Sequence, residues 1–293
     1  MKKSKTKNVV LTVISGVGYD SFNDLNQKTQ PDTIQTNSGS VSVSVFPFND
    51  EKENIVFISR HQGKRHVPPH KINYKALIKA AEIIGAPVLA INSVGIMRPI
   101  RLSANFGEPE TYAKPEAFLS HPFFIPNDFI DLTKNRAGTF YDKKTVHTDM
   151  TDPYCTDIRS LLRSVLSDCR FSYSEGIYLC TEGPRFETKA EIQMFSTFAD
   201  VVGMTGVPEV VLAKEKGLCY ASLCVLTNQA AGLSGESVTA DEVKVNVSKN
   251  QNQIFEIVSR LADVLSRRKK EKRQKRNQKQ FCRCKSAVIS GKL

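Results

Sequence analysis

The chain contains a run of basic residues that is placed where it could bind an anion. Residues 59–70, SRHQGKRHVPPH, follow an apolar strand-like run and hold three histidines, two arginines and a lysine. Arg60 offers a planar guanidinium group that can donate to two phosphate oxygens, and His61 offers a further donor. The pattern predicts an anion site, while composition alone also allows an ordinary basic surface loop.

Four further segments combine small residues with hydrogen-bonding side chains at predicted strand ends. The turn AINSVG, which contains Asn92 and Ser93, can bring backbone N–H groups close to an anion or a sugar. The segments TEGPRFET, GMTGVPE and TNQAAG begin at residues 181, 203 and 227. Taken alone, Glu187 could simply favour a helix N-terminus and Asn228 could simply shape a turn. Because open α/β folds bind ligands at strand ends, the same segments are also candidates for a binding site.

Strand-like and helix-like segments alternate along the chain. The predicted strands are the apolar run after the N-terminal lysines and residues 54–59, 87–91, 123–132, 176–181, 200–204 and 218–227. The predicted helices are residues 72–84, 188–198, 208–216 and 240–266, and the predicted loops are residues 105–120 and 133–153. In the first helix, Ile72, Ala76, Ala80 and Ile83 fall on one face, and Gly85 is expected to end it. The alternation predicts one α/β domain with a central sheet.

The positive charge of the chain is concentrated at its C-terminal end. The formal net charge is +11, and residues 267–293 hold twelve Lys or Arg and a single acid, Glu271. Residues 1–266 are therefore close to neutral. We expect a folded domain over residues 1–266 and a basic, disordered tail over residues 267–293. A solubilising role for the tail is favoured over contact with nucleic acid or an acidic membrane, which stays an alternative.

The cysteines and the apolar runs bear on the compartment of the protein. Seven cysteines follow no disulfide-framework spacing, which favours the reducing cytoplasm. No C-x-x-C pair is present, so the sequence predicts no metal site. Cys282 and Cys284 could bind a metal or oxidise, but a loose tail explains them more simply. The sequence contains no run close to the roughly 18 apolar residues that span a membrane, so a soluble protein is expected.

Five motifs stand in one order along the chain: RHxxxxHxPPHxINY, NSVG, EGPRFETKAEI, ADVVGMTGVPEVVLAKEKGLCYAS and TNQAAG. This series resembles the methylthioadenosine/methylthioinosine phosphorylase group of the trimeric purine nucleoside phosphorylase family. The resemblance covers residues 9–265, and the tail has no counterpart in it. It implies a single α/β domain with a mixed central β-sheet flanked by helices. It also implies a homotrimer with sites near the subunit interfaces.

The resemblance implies a phosphate site built from the first two groups of residues. Arg60, His61 and Thr205 match phosphate-binding positions of the family, and the turn of Asn92 and Ser93 adds contacts. Inorganic phosphate is then a co-substrate, and no organic cofactor or metal is required.

The first loop of the chain departs from the family pattern. The family has a hydroxyl residue in a Gly-Gly-Thr-Gly or Gly-Ser-Gly loop, whereas this chain has Ser15-Gly16-Val17-Gly18. Val17 occupies the phosphate-binding position without a hydroxyl, although the backbone N–H groups of the loop could still bind. A catalytically weakened nucleoside-binding homologue is therefore an alternative to an active enzyme.

The resemblance also assigns residues to the sugar and to the base. Met204 matches the residue that lines the ribose, and Phe186 matches an aromatic residue beside the base. His147 resembles a loop histidine near the 5′ end of the sugar, and His66 is a second candidate there.

The predicted reaction is phosphorolysis of a purine nucleoside, with catalytic roles for His61, Glu187 and Asn228. Cleavage of the glycosidic bond builds positive charge on the sugar and negative charge on the purine, so positioning and electrostatics are the task of the enzyme. Asn228 can donate to N7 and O6 of the base, and Glu187 can accept from N1–H. A carboxylate at this position favours a 6-oxopurine, in S-methyl-5′-thioinosine or in inosine and guanosine. Cleavage of S-methyl-5′-thioadenosine is the alternative.

Overall fold

The structure of the 293-residue chain is a computed structural model. It describes residues 7–16, 30–49, 52–62, 67–101, 112–113, 120–235, 237–274, 282, 284 and 288–289. Val17 and His66, two of the predicted site residues, lie outside the described residues. Within these ranges, none of the helices is both long and apolar enough to cross a membrane.

A mixed sheet of nine strands forms the centre of the molecule. The strands of the described residues are, in chain order, β1 (Val9–Ser15), β2 (Gln30–Thr36), β3 (Gly39–Pro47), β4 (Asn54–Ser59), β5 (Val88–Ile96), β6 (Ile100–Arg101), β7 (Tyr112–Ala113), β8 (Phe123–Leu132), β9 (His147–Thr148), β10 (Tyr173–Thr181), β11 (Val201–Gly203), β12 (Tyr220–Gln229) and β13 (Val288–Ile289). Of these, β6 pairs with β7 and β9 pairs with β13 in two small separate sheets. The order across the large sheet is β11-β10-β8-β12-β5-β1-β4-β3-β2. Because β11 is also hydrogen-bonded to β5, the five strands from β11 to β5 form a closed ring.

The middle of the sheet is largely parallel. β1 pairs in parallel with β4 and β5, β5 pairs in parallel with β12, and β8 pairs in parallel with β10. β12 pairs with β8 in the antiparallel sense, so the predicted mixed sheet is confirmed. Runs such as VVLTVIS in β1 suit strands that are covered on both faces. The carboxyl ends of β1, β4, β5 and β12 meet at one edge of the sheet.

Helices cover both faces of this sheet. In chain order they are α1 (Tyr74–Ile84), α2 (Thr156–Asp168), α3 (Lys189–Phe195), α4 (Glu209–Glu215), α5 (Ala240–Lys249) and α6 (Gln251–Gln274). α1 and α4 contact each other and pack into one hydrophobic cluster, and α2 and α6 contact each other and pack into another. The predicted α/β architecture of a single domain is therefore confirmed.

The helix boundaries follow from local hydrogen bonds. The Asn73 side chain accepts from the backbone N–H of Ala76 at the start of α1. At its end, Gly85 has a φ of 75° and donates its N–H to the carbonyl of Ala81. Gly85 therefore ends the helix as predicted, but Ile83 is 56% exposed and does not belong to the buried face.

The last predicted helix, residues 240–266, is two helices in the structure. Asn250 separates α5 from α6 with a φ of −100° and a ψ of 2°, and its side chain donates to the carbonyl of Asn246. α6 then continues to Gln274, eight residues beyond the predicted end. The prediction followed the apolar periodicity, which does not reveal a break of one residue.

A β-hairpin and a helix were also absent from the prediction. β2 and β3 form a hairpin in which Thr36 pairs with Gly39. The alternation of Ser and Val in GSVSVSVFP has the period of a half-buried strand and was the available signal. The helix α2 buries Ile158, Leu161 and Val165 on one face. Their spacing is helical, so it could have predicted this helix.

The chain after α6 returns to the body of the molecule at two places. Cys284 is buried among residues of α2 and α6, and Cys282 packs against the same cluster. β13 pairs with β9 in the antiparallel sense. The two cysteines therefore do not belong to a loose tail, because side chains far away in the sequence supply their surroundings. The division of the chain at residue 266 stays a prediction.

Candidate active site

A cavity of about 650 Å³ lies at the carboxyl edge of the sheet. Its volume is in the range of small-molecule sites. Predicted site residues that line it are Arg60, His61, Ser93, Phe186, Glu187, Met204, Thr205 and Asn228. Ser93 lies in β5 and Asn228 in β12, and the other residues follow β4, β10 and β11, so strands far apart in the sequence bring the predicted segments into one pocket.

Arg60 is buried in this pocket and bound to a carboxylate. Its Nε and Nη2 donate to the two carboxylate oxygens of Glu209 at 2.8 and 3.0 Å, and its Nη1 donates to the carbonyl of Ile91 at 2.9 Å. The hydroxyl of Tyr220 also donates to Glu209, at 2.8 Å. Burial alone lowers the pKa of Arg60, but the attraction of Glu209 outweighs it and raises the pKa above its ordinary value. The guanidinium therefore stays charged in a fixed position.

His61 lies beside Arg60. Its Nδ1 is 2.6 Å from the carbonyl oxygen of Val67, so Nδ1 carries a proton and donates to that oxygen. A Cβ atom built at Gly16 would lie 3.8 Å from Nε2 of His61 and 3.1 Å from Nη1 of Arg60. The missing side chain of Gly16 therefore leaves space in which an oxyanion can approach both Arg60 and His61.

Thr205 also lines the cavity, and buried neighbours orient its side chain. Its hydroxyl donates to Oδ1 of Asn92 at 3.0 Å, and Nδ2 of Asn92 donates to the hydroxyl of Ser222 at 2.7 Å. The backbone N–H groups of Thr205 and Gly206 donate to the hydroxyl of Tyr178. Asn92 is 2% exposed and is not among the lining residues, so it acts here by orienting Thr205.

Glu187 and Asn228 carry the polar groups of a second part of the pocket. The hydroxyl of Thr181 donates to Oε1 of Glu187 at 2.6 Å. The hydroxyl of Thr227 lies 3.0 Å from Oδ1 of Asn228, whose Nδ2 donates to the carbonyl of Gln229 at 2.9 Å. An amide nitrogen has two N–H groups and a carboxylate accepts several hydrogen bonds, so both side chains have capacity for a ligand.

The carboxyl group of Glu187 is electrostatically perturbed. Its burial raises the pKa, the hydrogen bond from Thr181 lowers it, and the net result is a pKa above the ordinary value of 4.5. The nearby Glu191 raises the pKa further and Arg185 lowers it. A buried acid with a raised pKa in a cavity is typical of a functional site.

Met204 and Phe186 add apolar surface to the pocket. A Cβ atom at Gly183, which has a φ of 63°, would lie 2.6 Å from the Sδ atom of Met204. Gly183 therefore allows Met204 to pack against the turn after β10. Phe186 is 40% exposed and lines the cavity, so its ring is available to a flat ligand.

Arg136 is a buried cation that the sequence analysis did not identify. Its Nη1 donates to the carbonyls of Met204 and Val207, both at 2.7 Å, and its Nη2 donates to the carbonyl of Glu182 at 2.6 Å. The side chain thereby fixes the loops after β10 and β11 that carry the lining residues. A single arginine in a polar loop gives no sequence signal for such a role. The counter-ion Glu209 was likewise missed, although it lies in the quoted motif GVPE.

His147 is not brought into the pocket of its own chain. It lies in β9, is exposed and pairs with Ile289 of β13. Its role near a sugar, like the roles of Val17 and His66, stays a prediction.

The start of α5 and the residues just before it form an apolar wall that was not located from the sequence. Val238, Ala240 and Val243 line the cavity together with Lys244. The cavity as a whole therefore combines a corner formed by Arg60 and His61, the carboxylate–amide pair of Glu187 and Asn228, and an apolar wall. This arrangement can hold an oxyanion, a polar flat ring and an uncharged substituent at the same time.

Comparison with known proteins agrees with this arrangement. A protein of Methanosarcina acetivorans named "Probable S-methyl-5'-thioinosine phosphorylase" is 46% identical over 253 residues, which cover 85% of this chain and 88% of the relative. A "6-oxopurine nucleoside phosphorylase" of Pyrococcus furiosus is 36% identical over 95% of this chain and 97% of its own length.

A solved structure and a family model extend the comparison to the fold. The methylthioadenosine phosphorylase of Schistosoma mansoni in complex with adenine has a TM-score of 0.75 and 25% identity, over 88% of this chain and 92% of that chain. The model of the phosphorylase superfamily matches residues 11–263, which include the strands that carry the cavity. The chain belongs to the phosphorylase superfamily.

Proposed function

We propose that the chain cleaves the N-glycosidic bond of a 6-oxopurine nucleoside with inorganic phosphate. The observation that carries this proposal is the single cavity in which the Arg60–His61 corner and the Glu187–Asn228 pair both have side chains. An oxyanion at the first and a purine at the second would leave the sugar between them. The names of the relatives from Methanosarcina acetivorans and Pyrococcus furiosus support the same reaction.

The chemistry follows from the charges of the pocket. A phosphate oxygen forms a bond to the anomeric carbon as the bond to the purine nitrogen breaks, and the electron pair of that bond stays on the purine. Phosphate bound by Arg60 and His61 stabilises the positive charge that develops on the sugar. Asn228 donates to the purine as its negative charge develops. The fixed pairs Arg60–Glu209 and Asn228–Thr227 reduce the reorganisation that this requires.

The base preference rests on hydrogen-bond complementarity. A 6-oxopurine has an N1–H that donates to an ionised Glu187, and its O6 accepts from the amide N–H of Asn228. A 6-aminopurine reverses both groups and leaves buried polar atoms without partners. Each such mismatch costs about 1–3 kcal/mol.

The apolar wall favours a 5′-methylthio group over a 5′-hydroxyl group. Val238, Ala240 and Val243 offer no hydrogen-bonding side chain, and a methylthio group packs well against such surface. We therefore propose S-methyl-5′-thioinosine as the preferred substrate, with inosine and guanosine as slower ones. The products are the free base and 5-methylthioribose 1-phosphate.

A homotrimer accounts for the position of His147. The resemblance assigns this residue to the 5′ end of the sugar, whereas the structure places it outside the pocket of its own chain. We propose that His147 reaches the pocket of a neighbouring copy. A His147→Ala chain mixed with an Arg60→Ala chain would then regain activity in mixed trimers, and a failure to regain it in verified mixed trimers would contradict this arrangement.

A substrate panel tests the proposed reaction. Inosine, guanosine, adenosine and their 5′-methylthio counterparts are incubated with the chain, with and without phosphate, and the free base is measured by chromatography. We expect phosphate-dependent release that is fastest from S-methyl-5′-thioinosine. Equal rates with the 6-amino compounds would contradict the role of Glu187, and release without phosphate would contradict phosphorolysis.

A further inference from the structure

Four cysteines from three distant segments meet in one cluster. Cys155 precedes α2, Cys219 precedes β12, and Cys282 and Cys284 follow α6. Their four Sγ atoms all lie within 4.8 Å of one another, and all four thiols are free. None of them lines the cavity described above. The cluster is therefore a second, separate concentration of reactive side chains.

The separations of the sulfur atoms suit a tetrahedral metal ion. Four sulfur atoms bound at about 2.3 Å from one zinc ion lie roughly 3.8 Å from each other. In the structure the Sγ atoms of Cys219 and Cys282 are 2.9 Å apart, and the largest separation in the cluster is within 4.8 Å. All six separations are therefore within about an ångström of the ideal edge or shorter, so movements of that size would produce a regular tetrahedron. We propose that Cys155, Cys219, Cys282 and Cys284 bind one Zn²⁺ ion as a structural site.

The surroundings are those of a closed site. Cys155 and Cys284 are buried, Cys219 and Cys282 are half-buried, and all four pack in or against the cluster formed by α2 and α6. The backbone N–H of Cys284 donates to Sγ of Cys282 at 3.4 Å, which is the outer hydrogen bond expected of a metal-bound thiolate. Four protein ligands leave no position for water or substrate, so the ion holds structure together and takes no part in phosphorolysis.

The proton balance of the site is straightforward. Zinc binding converts four thiols to thiolates and releases their four protons, and no electron is transferred. The complex of one Zn²⁺ ion with four thiolates carries a charge of −2. Disulfide formation among the same atoms would instead require a two-electron oxidant.

The site would fasten the end of the chain to the body. Cys282 and Cys284 lie between α6 and β13, and β13 pairs with β9, in which Ile289 opposes His147. A metal ion bound to Cys155 and Cys219 would therefore fix the segment that continues into β13. The sequence contains no signal for the site, because it has no C-x-x-C pair and its ligands come from three segments that meet only in the fold.

The test is a measurement of metal content and thiol state on the full chain. The protein is prepared in a phosphine reductant without chelator, and zinc is counted by elemental mass spectrometry. We expect one zinc ion per chain and four thiols that react with an alkylating reagent only after zinc is removed. Cobalt(II) exchanged into the protein should give the absorption bands of a tetrahedral tetrathiolate site.

Two variants and a matched control locate the ion. Cys155→Ser and Cys284→Ser should each lower the affinity for zinc at least tenfold, as measured by competition with a chromogenic chelator. Cys169→Ser removes a half-buried cysteine outside the cluster and should leave one zinc ion per chain. If a variant does not fold, the zinc count and the cobalt spectrum of the unmodified chain still decide the question.

Two results would overturn the proposal. One is a chain without metal whose four clustered thiols all react at once with the alkylating reagent. The other is a chain without metal in which these cysteines react only after a disulfide is reduced. Either result leaves the proposed phosphorolysis untouched, because none of the four cysteines contacts the cavity.

Discussion

The two parts of the pocket are held by different means. At the phosphate corner, Arg60 and Glu209 form an ion pair with side chains 1% and 0% exposed, supported by Tyr220 and by backbone carbonyls. At the base end, Glu187 and Asn228 are each held by a neighbouring threonine hydroxyl. The corner is therefore part of the folded core, whereas the base end is a small set of hydrogen bonds on the wall of the cavity.

This difference separates the consequences of substitution. A change at the corner leaves a buried charge without its partner and should affect both folding and phosphate binding. A change at the base end should alter the choice of purine and leave folding nearly intact. The expected effects therefore decrease from the buried ion pair to the hydrogen bonds of the base end.

The largest effect is expected from Glu209→Ala. The substitution leaves the Arg60 guanidinium buried without a counter-ion, which costs about 3–5 kcal/mol in the free energy of unfolding. Chemical denaturation measures this loss. The matched control is Glu256→Ala, which breaks an exposed ion pair with Arg260 and should cost less than about 1 kcal/mol.

A double variant separates the charge from the shape of the corner. Arg60→Met combined with Glu209→Leu removes both charges and should recover most of the stability lost in Glu209→Ala. Phosphate-dependent activity should stay lost, because the cation is gone. Recovery of activity in this variant would show that the corner is not the phosphate site.

The next effect is expected from Arg60→Lys, which keeps the charge and loses the planar fork. Loss of one charge-assisted hydrogen bond to phosphate is worth about 2 kcal/mol, or roughly a thirtyfold rise in the KM for phosphate. Steady-state kinetics at saturating nucleoside measures it. An unchanged KM for phosphate would place the anion elsewhere.

A smaller effect, of specificity rather than stability, is expected at the base end. Glu187→Gln should lower kcat/KM for 6-oxopurine nucleosides, because the acceptor for N1–H loses its charge. The expected loss of transition-state stabilisation is about 1–3 kcal/mol. The control Glu256→Gln alters an exposed carboxylate bound to Arg260, far from Glu187 in the sequence, and should leave the ratio of inosine to adenosine unchanged. An equal change of that ratio in both variants would argue against a specific contact from Glu187.

The smallest effect is expected in the pH profile of Thr181→Val. The pKa of Glu187 is already raised, and the base-reading role needs its carboxylate form, so kcat/KM should fall as the pH drops through this pKa. Removing the Thr181 hydrogen bond, which lowers the pKa, should move this acid limb to higher pH. The limb should vanish in Glu187→Gln, and a limb that persists unchanged there belongs to another group.

Much of the fold and the pocket could be predicted because their signals are local. The strand at Phe123–Leu132 has the predicted bounds, and Gly85 ends α1 as expected from its freedom to take a positive φ. Arg60, His61, Glu187 and Asn228 were found because each lies in a motif at a predicted strand end.

The remaining features depend on contacts between distant segments. Glu209 gains its role from Arg60, which lies 149 residues away in the sequence. Arg136 donates to carbonyls of loops whose proximity cannot be predicted from hydrophobic periodicity. Cys155 and Cys284 lie in one hydrophobic cluster only because the chain is folded. The fold also gives Asn92 a contact that the sequence did not reveal, because its Oδ1 accepts from the Thr205 hydroxyl, while its contact with an anion stays a prediction.

The central claim is that one pocket holds phosphate and purine at the same time. A crystal structure of the chain soaked with phosphate and hypoxanthine measures this directly. We expect phosphate oxygens within hydrogen-bond distance of Arg60 and His61 and the base between Glu187 and Asn228, with room for a ribose between the two ligands. A phosphate bound away from Arg60, or a base that contacts neither Glu187 nor Asn228, would contradict the account.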